Sequence, residues 1–151
     1  MRVQIGKTSA AKPEPLIWLE AGLGGSMRSW NLTFPILCRA FYCARSTRSP
    51  ILHPEKDAEV TWQSLVTEMR AGGEKTAAHL GATFDHPLPI VLVGHSYGAM
   101  LVRVWAAQLL KSPAPSRVRP VGIVQIDPSF EGNCEGASPL YQEIERKILA
   151  W

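Results

Sequence analysis

A Gly-His-Ser-Tyr-Gly run at residues 94–98 stands between an apolar stretch, Pro89-Ile90-Val91-Leu92-Val93, and a segment of helical composition over residues 99–110. Strand, then glycine-serine-glycine, then helix leaves the chain few ways to proceed. The chain must turn sharply and lift Ser96 clear of the backbone at the end of a sheet strand. Glycine on both flanks has a steric reason. A Cβ there collides where strand and helix cross, and a strained turn favours residues without one. A serine so placed is a candidate nucleophile. The plainer alternative is that Ser96 caps the following helix, and a second segment weighs in favour of the nucleophile.

That segment lies upstream, where Leu16-Ile17-Trp18-Leu19-Glu20 reads as a buried strand running into Ala21-Gly22-Leu23-Gly24-Gly25-Ser26. Acyl transfer at a serine needs backbone N–H groups aimed at the oxyanion of the tetrahedral intermediate from two places. The amide of Tyr97, just after the nucleophile, is one candidate donor, and the amide of Leu23 in the glycine loop is the other. The alternatives for the loop are an ordinary glycine-rich turn or a phosphate cradle at a helix N-terminus. No Lys-Ser/Thr pair follows the glycines as a phosphate-binding loop requires.

Taken together, these segments resemble the α/β-hydrolase superfamily, in the branch whose oxyanion loop reads Glu-Ala-Gly-Leu-Gly-Gly-Ser where relatives have His-Gly. The resemblance places residues 17–30 as the family's third strand with its oxyanion loop. Residues 89–106 stand as the fifth strand with the nucleophile elbow, and residues 121–128 as the sixth strand, ending in Ile-Asp-Pro. Residues 41–50 sit where the family commonly has Tyr-Asp-Arg followed by two spaced glycines and a serine, and here both glycines are absent. The resemblance implies an α/β fold with a mostly parallel sheet, helices on both faces and right-handed crossovers. It also implies a triad in the order Ser, Asp or Glu, His. No histidine follows Ser96, so the expectation is a partial fold that lacks the last strands and the loop carrying the family's histidine. The domain reading is a partial core over residues 1–137, with a lid or terminal helix beginning at 138–151.

A serine hydroxyl needs a base within hydrogen-bond reach. His95 adjoins the nucleophile on a tight turn, His79 ends a long helix, and His86 precedes the elbow strand at its opposite end. His53 alone is expected on the carboxyl rim where ligands bind in open α/β sheets. Asp127, at the end of the next strand, is a candidate triad acid, with an Asp-Pro turn as the alternative. Tyr97, Met100 and Trp30 are either pocket lining or core.

The chain has 151 residues, of which 46% are hydrophobic, enough for one domain with a core. Its 16 basic and 13 acidic residues give a net charge of +3. The basic residues are scattered, with only Arg45 and Arg48, and Arg117 and Arg119, close together. This excludes a nucleic-acid stripe, and the pairs read as solvated loops. No membrane span or signal peptide is visible. Cys38, Cys43 and Cys134 lack metal spacing and read as reduced thiols in a cytoplasmic protein. No cofactor is implied.

Residues 2–5 read as a short strand in an edge hairpin, residues 29–38 as a helix interrupted by Pro35, and residues 40–44 as a strand. Residues 58–80 read as a crossover helix broken or kinked near Gly72-Gly73. Residues 111–120 read as a loop, and residues 139–151 as an amphipathic helix. Two functions from different classes follow. One is a serine-type hydrolase acting on small-molecule carboxylic esters or related acyl substrates, weakly active or inactive as it stands. The other is a non-catalytic interaction protein that self-associates through the exposed sheet edge formed by residues 121–126.

Overall fold

The computed structural model describes residues 1–6, 8, 15–49 and 61–128. Five strands form one sheet in the spatial order β1-β3-β2-β4-β5. They are β1 (Arg2–Gly6), β2 (Leu16–Glu20), β3 (Tyr42–Thr47), β4 (Leu88–His95) and β5 (Val118–Ile126). Only β1 runs antiparallel; β3, β2, β4 and β5 are parallel to one another. The expected edge hairpin does not form, because β1 pairs with β3 and not with β2. Every residue of β2 is buried, so this strand needs a parallel neighbour on each side, and the N-terminal strand is left to the sheet edge.

Alternation along β2 divides the core into two layers. Leu16 and Trp18 point into a cluster with Leu65, Val66, Met69, Met100, Leu101 and Trp105, which is the face covered by α2 (Trp62–His79) and α3 (Tyr97–Lys111). Ile17 and Leu19 point the other way, onto Trp30, Phe34, Cys43 and Val93. A 3₁₀ helix (Met27–Trp30) and α1 (Phe34–Leu37) cover that side. Trp30 and Met100 both lie in these clusters, which settles them as core residues. The α/β class with helices on both faces is thus the observed architecture.

Several local expectations are corrected. Pro35 does not interrupt a helix; it occupies the first turn of α1, where its missing N–H costs nothing. The helix α2 runs unbroken through Gly72 and Gly73. A Cβ on Gly73 would lie 2.6 Å from the Trp105 ring, and one on Gly72 would lie 3.2 Å from Trp18. These glycines let the helix approach two tryptophans that meet edge to face at 5.2 Å. The first turn of α2 is held by a capping box in which Thr61 and Ser64 each accept the other's backbone N–H. β3 is longer than expected, and β5 begins at Val118. The register against β4 shifts after Ile90↔Pro120, and this bulge admits a proline inside a strand. The helix expected at residues 139–151, the lid boundary at 138 and His53 lie outside the described residues.

Candidate active site

Two backbone crossings build the site. Ser96 sits between β4 and α3 at φ 52° and ψ −123°, a combination that costs a non-glycine residue of order 1–3 kcal/mol. The surroundings enforce it. The Ser96 N–H donates to Ile126 O at 3.0 Å, and Ser96 O accepts from Ala99 N at 2.9 Å. A Cβ on Gly94 would meet Gly98 O at 2.4 Å and the Ala99 backbone at 2.5 Å, so strand and helix cross without room for a methyl group. A Cβ on Gly98 would meet Ala21 O at 2.5 Å and Glu20 O at 2.6 Å. The first turn of α3 therefore rests on the end of β2, where the glycine loop begins.

That loop turns at Gly22-Leu23-Gly24-Gly25. Gly25 N–H donates to Gly22 O at 3.1 Å, and Gly24 takes φ +69°, a conformation that suits glycine at the third position of a tight turn. Leu23 is exposed on the turn. Gly22 packs against the elbow, since a Cβ added to it would lie 3.2 Å from Ser96 Cβ and 3.3 Å from His95 Nδ1. The fold thus brings the Gly22-Leu23 segment to Ser96 from more than 70 residues away in sequence. Tyr97, the first residue of α3, is buried in the core.

Beneath the loop lies a polar cluster that the sequence reading passed over. Arg48, expected in a solvated loop, is buried, with 4% of its side chain exposed against 1% for Glu20. Its guanidinium donates to Glu20 Oε1 at 3.1 Å, to Ala21 O at 3.0 Å and to Gly22 O. Ser46 Oγ donates to the other Glu20 oxygen at 2.5 Å, and the guanidinium carbon lies 5.7 Å from the centre of the Tyr97 ring. Burial pushes the Glu20 carboxyl up from its ordinary value, while Arg48 and Ser46 pull it back. Arg45 is likewise engaged, donating to Gln4, Met27 O and Asn31 and lying over the Phe34 ring at 4.4 Å. The signal for Arg48 was Glu20 itself. A carboxylate at the end of a strand buried on both faces requires a cation, and the adjacent parallel strand supplies one just past its end.

The remaining candidates separate. Asp127 follows β5 at φ 46° and is exposed. It adjoins the elbow through the Ile126 O contact to Ser96 N. His86 precedes β4, whose eight residues carry it roughly 26 Å from the elbow end of the strand. His79 is the last residue of α2. His95 is exposed beside the elbow.

No family model matches the sequence. No curated protein matches it either. Solved structures do match. An esterase from Thermogutta terrifontis, solved with propionate bound, superposes with a TM-score of 0.60 at 20% identity, covering 96% of this chain and 56% of its own. A hydrolase from Pseudomonas aeruginosa gives a TM-score of 0.53 at 18% identity, over 82% of this chain and 40% of its own. A Mycobacterium tuberculosis protein classed as a non-heme bromoperoxidase gives 0.56 at 19% identity, over 99% and 48%. The chain spans about half the length of the solved structures it matches. The β2–glycine loop, the strained elbow and the parallel sheet between them, together with these superpositions, show that the protein has the α/β-hydrolase fold.

Proposed function

We propose that this chain carries the nucleophile and oxyanion side of a serine-type acyl hydrolase. In this reading Ser96 Oγ attacks the carbonyl of a carboxylic ester or related acyl substrate, forming an acyl-serine that water then releases. The amides of Leu23 and Tyr97 stabilise the oxyanion. The observation that carries this reading is the strained Ser96 turn held directly against Gly22. Support for Leu23 comes from peptide geometry. In a trans peptide the C=O and the following N–H point in opposite directions, and Arg48 holds Gly22 O, so the Leu23 N–H faces away from the guanidinium. The esterase and hydrolase neighbours agree with a small-molecule substrate.

His86 precedes β4 at the end opposite the elbow and His79 ends α2, so neither stands beside Ser96 as a base, and turnover is expected to be weak or absent. Asp127 serves as triad acid only if a histidine comes between it and Ser96. The test is labelling of the purified chain by a fluorophosphonate, with and without added imidazole as a substitute base. Slow labelling at Ser96, lost in Ser96→Ala and accelerated by imidazole, is the expected result. A folded protein that stays unlabelled under both conditions, or labelling that survives Ser96→Ala, overturns the reading.

A second reading has its own observation. Val121, Ile123, Val124 and Ile126 of β5 are 42–47% exposed, and among the described residues β5 pairs only with β4. An apolar edge of this kind favours a protein that associates through its sheet.

A further inference from the structure

On the face of the sheet opposite α2 and α3, two cysteines meet at a place shaped by a missing side chain. Cys43 on β3 is the antiparallel partner of Gly6 on β1. Directly opposed residues in such a pair share one face, with Cβ atoms about 4.5–5.5 Å apart. Gly6 offers no Cβ, and the Cys38 sulfur fills the space, lying 2.2 Å from where that Cβ would stand, with Phe34 Cζ at 3.0 Å from the same point. Cys38 follows the last residue of α1, so its thiol is delivered into the slot facing Cys43. Cys38 packs against the apolar cluster that holds Cys43, whose thiol donates to Phe41 O at 3.6 Å. Both are reduced; Cys38 is half-buried and within reach of solvent, and Cys43 is fully buried.

We propose that Cys38 and Cys43 form a dithiol site that closes to an intramolecular disulfide on exposure to a disulfide oxidant. The Cys38 thiolate attacks one sulfur of glutathione disulfide, forming a protein–glutathione mixed disulfide and releasing one glutathione thiolate. The Cys43 thiolate then attacks the Cys38 sulfur and displaces the second glutathione. The two protein thiols lose two electrons and two protons, and the oxidant is reduced to two glutathiones. Cys38 takes the first step because it is the accessible thiol. The second step is slow at neutral pH. In the reduced pair the Cys43 thiol is pushed up to about 12, chiefly by burial, and burial continues to act once Cys38 carries the glutathione. The thiolate fraction available for attack therefore rises about tenfold per pH unit below that value. Closure would tie the end of α1 to β3, beside the contact between Arg45 and Phe34.

The test uses the chain with Cys134→Ser, so that the third thiol takes no part. Protein is incubated with glutathione disulfide at pH 7 and pH 8, quenched in acid, unfolded, alkylated with a maleimide, and read by intact mass and peptide mapping. The expected product is lighter by two hydrogens, carries no maleimide at either position, contains a linked Cys38–Cys43 peptide, and forms about tenfold faster at pH 8. Cys43→Ser should stop at the glutathione adduct on Cys38. Gly6→Ala, whose methyl group displaces the Cys38 sulfur, should slow closure at least severalfold in a folded protein. Peptide mapping of the unsubstituted chain gives the same readout if Cys134→Ser fails to fold. Oxidation that halts at a Cys38 adduct with Cys43 still alkylated, disulfides that join separate chains, or closure indifferent to Gly6→Ala would overturn the proposal.

Discussion

Arg48 is the residue that most changes the picture of the site, because it connects the charge inside β2 to the shape of the glycine loop. It faces a carboxylate that is almost wholly enclosed, and removing one partner of such a pair typically costs about 3–5 kcal/mol. Arg48→Met leaves Glu20 buried without its cation, so the folded-state pKa of Glu20 rises further above its unfolded value of about 4.3. A raised carboxyl pKa means that the folded state binds the proton more tightly. Stability is then fully present below the unfolded pKa and is lost as pH climbs through the folded one. The deficit of Arg48→Met against the parent is expected to be larger at pH 8 than at pH 5, as read by urea denaturation. Adding Glu20→Gln should flatten that difference. An equal deficit at both pH values would mean that Arg48 acts through its carbonyl contacts alone.

At the level of elements, helix α2 shows how packing overrides local propensity. Two adjacent glycines within 18 helical residues weaken a helix by about 1 kcal/mol each relative to alanine, which is why the chain reads as kinked there. The helix continues unbroken through them, and Trp105 and Trp18 lie against those positions, both fully buried. Gly73→Ala sets the propensity gain against a methyl group 2.6–2.7 Å from two Trp105 ring carbons. Overpacking of this kind costs typically about 1–3 kcal/mol, and Trp105 is fixed by its contact with Trp18. The substitution is expected to lower stability by roughly 1 kcal/mol on those figures, seen as a lower denaturation midpoint. A rise in the midpoint would show that the tryptophan pair can move. The same override explains β5, where Pro120 reads as a strand breaker but is absorbed by a one-residue register shift.

At the scale of the whole sheet, β2 and β3 are largely buried, whereas Val121, Ile123, Val124 and Ile126 along the edge strand β5 of the described sheet are exposed. Reversible, concentration-dependent association in sedimentation velocity is the expected behaviour. Ile123→Lys, which places a charge on that edge, should shift the protein toward monomer. A parent chain that stays monomeric at high micromolar concentration would remove the interaction reading. No helix among the described residues is long and apolar enough to cross a membrane.

Much of this fold was legible because its signals are local. The elbow glycines, the apolar runs of β2 and β4 and the helix after Ser96 each announce themselves within about ten residues, and the elements they imply are present. The partner of β1, the unbroken course of α2 and the burial of Arg48 were not legible, since each depends on what lies across the sheet. By itself the sequence determined that Ser96 stands on a strand-to-helix turn, because only glycines at residues 94 and 98 leave room for the crossing backbones. Only the tertiary structure decided which groups surround that turn. The approach of Gly22 to Ser96, the seating of Arg48 under the loop and the meeting of Cys38 with Cys43 beside Gly6 arise from strand order and register, and these are set by the burial of β2 on both faces.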